Sequence, residues 1–119
     1  MTGLDVIKKA LLLLNYTDNS GHVDSRVSGA AAARGLGILN QLLADEWYTR
    51  NDTPLTPLTA ATQPLPCSER VAQDVLPYGV AMLLAQGEGD GENQSIFAVL
   101  YNQKRAAYTH TESRKNQLP

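Results

Sequence analysis

Several groups of residues in this chain have types that could do chemistry. His22 and His110 are the two imidazoles, and neither lies in a serine or cysteine elbow motif. Cys67, the single cysteine, stands beside Ser68 at a predicted helix start. A thiol there would have its pKa lowered by the helix N-terminus, but the simpler expectation is a small buried hydrophobe. Glu88, Asp90 and Glu92 alternate with Gly89 and Gly91 and superficially suggest a calcium loop. The EF-hand order of ligands is missing, so a solvated helix–helix turn is expected. Asp45 and Glu46 beside Trp47 supply half of a carboxylate site, with no second carboxylate-rich helix to complete it. Gly35-Leu36-Gly37 is a lone G-x-G inside a helical pattern with no preceding strand, which reads as packing rather than nucleotide binding.

The C-terminal end carries Lys104, Arg105, Arg114 and Lys115, offset by Glu112 alone. This local positive surplus could touch nucleic acid or an acidic partner surface. Basic side chains near a helix C-terminus also complement its dipole. No residue is assigned a catalytic, metal-binding or cofactor-binding role, no cofactor is expected, and the chain does not read as an enzyme.

The totals agree with that reading. The chain has 119 residues, enough for one domain. It is 43% hydrophobic and 18% charged, in the range of a globular protein. Leucine and alanine dominate, while Phe97 and Trp47 are the only representatives of their types. An aliphatic core of this kind fits helices better than a sandwich of strands. A net charge of −2 argues against a domain whose main task is gripping DNA phosphates. One cysteine excludes an intramolecular disulfide and a cysteine-cluster zinc site, and an intracellular compartment is the expectation. The first residues lack a basic n-region, so no signal peptide is expected. No apolar run approaches the roughly 20 residues of a membrane span.

Four helices are predicted, all in one domain over residues 1–108, followed by a flexible tail over 109–119. The first runs from Thr2 to Leu14, capped by Thr2 with Asp5 in its first turn. Leu4, Ile7, Leu11 and Leu14 share a face. The second begins at Asp24 or Ser25 and ends near Tyr48 or Arg50, with Ala32, Leu36, Leu39, Leu43 and Trp47 as its apolar stripe. Gly35 and Gly37 there imply a tight crossing or a bend. Residues 51–67 hold Pro54, Pro57, Pro64 and Pro66, which end helical structure. This connection is either a loop or a small hairpin pairing residues 55–59 with 62–65.

Ser68 caps the third helix. Within it, Leu76-Pro77-Tyr78-Gly79 places a proline inside an apolar stripe. Pro77 either occupies the first turn of a new helix, where its missing N–H costs nothing, or kinks a continuous one. The fourth helix spans about Glu92 to Thr109, with Ile96, Phe97, Leu100, Tyr101 and Tyr108 on a broad face.

This order of features resembles the small head–tail connector (adaptor, or head-completion) proteins of tailed bacteriophages and prophages. The residues that carry the resemblance are Leu42-Leu43-Ala44-Asp45-Glu46-Trp47 at the end of the second helix, and Leu76-Pro77-Tyr78-Gly79-Val80-Ala81 leading to Glu88-Gly89-Asp90. A final helix with Phe97, Tyr101 and Asn102 completes it. It covers about residues 4–108.

The resemblance implies an all-α, four-helix connector-like subunit that is monomeric alone or forms a homo-oligomeric ring on assembly. Such a ring docks on the portal protein, contacts neighbouring connector or tail proteins, and extends a channel through which packaged DNA passes transiently. It implies the host cytoplasm during assembly, then the head–tail junction of the virion, with no membrane partner. On that reading Leu39, Leu43 and Trp47 hold the second helix, while Pro77 and Tyr78 aim the third. Leu55, Thr56, Leu58, Thr59, Lys104, Arg105, Arg114 and Lys115 make the subunit and portal contacts. The alternative is a small terminase-like DNA-binding or packaging-regulatory protein. That reading needs a helix-turn-helix with a basic recognition helix, and the predicted turn at 15–24 is long for one.

Overall fold

The computed structural model describes the backbone of residues 1–15, 28–48 and 56–117, and their side chains except at 28–33, 46–48 and 109–117. The described chain is helical, with segments α1 (Gly3–Leu13), α2 (Ser28–Tyr48), α3 (Glu69–Asp74), α4 (Leu76–Gly87) and α5 (Gly91–Gln117). No strand occurs among the described residues; one isolated bridge joins Thr2 and Pro64. The predicted start of α2 at Asp24 or Ser25 lies outside the described residues.

Helix α1 begins as its sequence predicts. The Thr2 hydroxyl accepts from the Asp5 N–H at 3.3 Å, and the Asp5 carboxylate accepts from the Thr2 N–H at 2.9 Å. This reciprocal box satisfies two backbone donors that a helix start otherwise leaves open. Donation from the Thr2 backbone and hydroxyl favours the ionised form, so the Asp5 carboxyl is held below its ordinary value of 3.8. In the unfolded chain Asp5 binds its proton at a higher pH than in the folded one. The box therefore stabilises the fold above the ordinary carboxylate range, and that contribution fades as pH falls through the lowered folded value. Thr2→Ala should destabilise the protein in urea unfolding at every pH, through the lost Asp5 N–H bond, whereas the loss caused by Asp5→Ala should shrink toward pH 2 as the wild-type carboxylate is protonated.

Helix α4 touches each of the other four helices and so forms the centre of the packing. Its Leu76, Pro77, Val80, Ala81, Leu84 and Ala85 are all buried. Around them close Val6, Ile7, Ala10 and Leu11 of α1, Leu39, Leu42 and Leu43 of α2, Val71 and Ala72 of α3, and Phe97, Tyr101 and Tyr108 of α5. Leu39 and Leu43 are thus core residues, as their stripe predicts. The Trp47 side chain is outside the described residues.

Of the two readings of Pro77, the restart is the one found. The Val75 N–H closes α3 on the Val71 carbonyl at 3.1 Å. Pro77 then sits in the first turn of α4, where no intrahelical donor is needed. The two glycines of α2 differ. A Cβ on Gly35 would meet Ile7 Cδ1 at 2.9 Å, so this glycine admits α1 at close range, whereas a Cβ on Gly37 would meet open space.

The α4–α5 turn is a helix-ending motif. Gly89 takes φ +73°, its N–H donates to the Gln86 carbonyl, and the Asp90 N–H donates to the Ala85 carbonyl. Asp90 then caps α5 through the Asn93 N–H at 3.2 Å. Helix α5 continues to Gln117, past the predicted end at Thr109, so the backbone of residues 109–117 is helical. The physical reason is composition: Ala106 to Gln117 contains neither glycine nor proline and several strong helix formers.

Candidate functional site

The residues expected to make contacts fall into two groups on different elements. The first is the proline-rich connection. Leu55 lies outside the described residues, Thr56 and Thr59 are exposed, and Leu58 is half-buried. Residues 56–59 do not pair with 62–65; the connection pairs with the start of α1 instead. The Leu4 N–H donates to the Ala61 carbonyl at 2.7 Å, the Gly3 N–H to the Gln63 carbonyl at 3.4 Å, and the Leu65 N–H to the Met1 carbonyl at 3.0 Å. A helix start offers unpaired N–H groups, while Pro57 and Pro64 have none to give a hairpin ladder. That imbalance favours docking on α1 over self-pairing.

Two side-chain amides organise the same segment. Asn40 of α2 reads both backbone groups of Leu58: its Oδ1 accepts from the Leu58 N–H at 2.8 Å, and its Nδ2 donates to the Leu58 carbonyl at 3.0 Å. Gln63 Oε1 accepts from the N–H groups of Thr59 at 2.6 Å and Ala60 at 2.9 Å. Neither amide was singled out by sequence reasoning. The available signal was Asn40 itself, an amide in a helix interior between Leu39 and Leu42, where asparagine has poor intrinsic propensity.

The second group lies on α5. Lys104 donates to the Asp74 carboxylate of α3 at 2.7 Å, and its ammonium stands 4.5 Å from the centre of the Tyr78 ring. The hydrogen bond from Asp74 raises the Lys104 pKa above its ordinary value. The pair is part-exposed, with worth of about 1 kcal/mol or less. Tyr78 in turn packs against Phe97, ring centres 6.2 Å apart. Pro77, Tyr78, Phe97, Lys104 and Asp74 therefore form one brace between α3, α4 and α5, and Lys104 serves the fold rather than standing free. Beside it runs an open groove of about 350 Å3, lined by Arg70, Val75, Leu100 and Tyr108. Arg105 is half-buried, and the side chains of Arg114 and Lys115 are outside the described residues.

Two of the other chemically suggestive carboxylates have structural partners. Glu88 pairs with Arg34 of α2 at 3.1 Å, and Asp90 caps α5. No group of three metal-ligating side chains is assembled among the described residues. Cys67 is half-buried against the core, and burial pushes its thiol pKa up, opposite to the activation a helix start could supply. Among the described residues, no helix is long and apolar enough to cross a membrane.

Among the described residues, three large hydrophobic side chains are exposed. Ile96 and Val99, one turn apart on α5, are 47% and 56% exposed, and Leu12 on α1 is 61% exposed. Comparison with family models, curated proteins and solved structures finds no match to this chain.

Proposed function

We propose that the chain is a structural subunit of a tailed-phage head–tail connector, acting by assembly on a portal ring and extending its DNA channel. The observation that carries this reading is the apolar pair Ile96 and Val99, left uncovered on α5. Contiguous exposed apolar patches mark protein–protein contacts, and on the connector reading this pair is the apolar part of one. The order of sequence features that resembles connectors supports it, from the second helix ending in Trp47 through Leu76-Pro77-Tyr78-Gly79 to the Glu88-Gly89-Asp90 turn. A mildly acidic chain also suits a channel that DNA must slide through, since dense lysine and arginine would hold its phosphates.

The test is co-expression with the cognate portal protein. The chain is expected to co-purify with the portal at a fixed stoichiometry, read by native mass spectrometry. Failure to associate under all conditions, together with a salt-dependent shift of duplex DNA at micromolar protein, would replace this reading with the DNA-binding one.

A further inference from the structure

Helix α3 is six residues long, too short to hold its shape without support. Its Val71 and Ala72 are buried, and it packs against α4. Its C-terminal end is less well provided. The last carbonyls of a helix have no intrahelical donor, and the negative pole of the dipole lies there. Helix α3 has no basic residue in its own last turn. Pro77 deepens the gap. The N–H four residues after Gln73 would belong to Pro77, which has none. Nothing inside α4 needs that donor, but the Gln73 carbonyl loses it.

Two lysines from other helices supply what is missing. Lys9 of α1 donates from Nζ to the Gln73 carbonyl at 2.6 Å. Lys104 of α5 donates from Nζ to the Asp74 carboxylate at 2.7 Å. Both cations thus meet the last two residues of α3, where the dipole favours positive charge. At the opposite end of α3, the Met1 amino group donates to the exposed Glu69 carboxylate at 2.7 Å.

We propose that the α3–α4 joint is a hinge locked by two lysines. Lys9 stands in for the donor that Pro77 lacks, Lys104 holds Asp74, and α3 opens as a unit about Val75 when the lock is released. Both lysines are positioning residues. The groove beside the brace has Arg70, Asp74 and Val75 on its α3 wall, and Leu100, Gln103 and Tyr108 on its α5 wall. The locked position of α3 therefore sets the width of that groove. The hinge needs no second molecule, so it stands apart from the connector reading.

The experiment is native-state hydrogen exchange, followed by NMR on the full chain at rising low urea. Ala72 and Val75 report on α3, because their N–H groups donate to the Ser68 and Val71 carbonyls at 3.0 and 3.1 Å. Ala81 and Leu84 report on the interior of α4. The α3 amides are expected to exchange at least about tenfold faster than the α4 amides, with little dependence on urea, because a local opening exposes little surface. Exchange at the α4 rate and with the α4 urea dependence would mean that α3 opens only with the whole fold, and would overturn the proposal.

The lock is tested by substitution. Lys9→Met keeps the apolar stem and should speed exchange at Ala72 and Val75 by about fivefold, the effect of one lost hydrogen bond. Lys9→Arg keeps a donor and should stay within about twofold of wild type. Lys104→Met should speed the same amides by about threefold, as fits a part-exposed pair. Pro77→Ala restores an N–H four residues after Gln73, so adding Lys9→Met to it should change α3 exchange by less than about twofold. Unchanged exchange in Lys9→Met and Lys104→Met would remove the lock. The full fivefold effect of Lys9→Met in the Pro77→Ala background would remove the role of Lys9 as the substitute donor.

Discussion

Leu39→Ala should lower the unfolding free energy by about 3 kcal/mol, within the range for large-to-small changes at fully buried leucines. Leu39 has no exposed surface. Its Cδ2 lies 2.9 Å from where a Cβ on Gly3 would stand, and the Ala61 carbonyl oxygen lies 3.2 Å from that same point. The side chain therefore fills the space where α2, the start of α1 and the connection meet. Those neighbours are tied by backbone hydrogen bonds from Gly3 and Leu4 to the connection, so they cannot easily collapse into the cavity. Urea unfolding followed by circular dichroism measures the loss. Leu12→Ala provides the contrast: at 61% exposure it should change stability by no more than about 0.5 kcal/mol. Equal losses at the two positions would mean that Leu39 is not packed as described.

The second large effect is expected at Gly79. Helix propensity alone predicts that replacing a glycine inside α4 stabilises it, by up to about 1 kcal/mol for alanine. Packing predicts the opposite. A Cβ at this position would lie 2.8 Å from Tyr101 Cε1 and 3.0 Å from Leu42 Cδ1. Both of those side chains are buried. Overpacking of a closed core costs about 1–3 kcal/mol. For Gly79→Ala the two effects nearly cancel. For Gly79→Val the added methyls and the lower propensity of a β-branched residue decide the sign, and a net loss of about 2 kcal/mol is expected. Combining Gly79→Val with Leu42→Ala should be less damaging than the sum of the single changes by about 1 kcal/mol, because the second substitution vacates the contested space. Strict additivity in that cycle would show that Leu42 is not the atom in the way.

The close contact at Gly79 also explains the Leu76-Pro77-Tyr78-Gly79 stretch as a unit. Pro77 restarts the helix and is itself buried in the core. Tyr78 faces Phe97 and Lys104, while Gly79 lets α4 approach both Leu42 and Tyr101. The sequence marks the proline and the tyrosine as expected determinants of this helix's direction. It did not identify the glycine, because a glycine in a helical pattern has the same local signature whether it faces a neighbouring ring or open water. Gly35 and Gly37 make the same point within one turn of α2: one meets Ile7 and the other meets nothing.

The contact residues were legible in part. The uneven composition of residues 51–67 marked that segment as non-helical, and among its described residues it is. Its partner was not legible. Prolines argued for an edge strand, but the unpaired donors at the start of α1 and the Asn40 amide supplied better hydrogen-bond partners than a second strand so poor in N–H groups. Lys104 was read as a subunit or portal contact; within the chain it bridges α5 to Asp74 and Tyr78, a pairing the local sequence does not show. At the other end of α5, the predicted stop at Thr109 followed the change to polar residues. Polarity does not end a helix when glycine and proline are absent.

By itself, the sequence determined the helical class and most helix ends. The Thr2–Asp5 box, the Ser68 cap and the stop at Gly89 each act within three or four residues along the chain, so their signals are complete in the local sequence, whereas the choice between a restart and a kink at Pro77 needed the tertiary structure. Only the tertiary structure decided which surfaces are closed and which stay open. Asn40 meets Leu58 across 18 positions, Lys104 meets Asp74 across 30, and Arg34 meets Glu88 across 54. No local pattern encodes such pairings, because they depend on where α4 lets its neighbours approach. The exposure of Ile96 and Val99 is settled in the same way: Phe97 and Tyr101 turn into α4, and that leaves the opposite side of α5 without a cover.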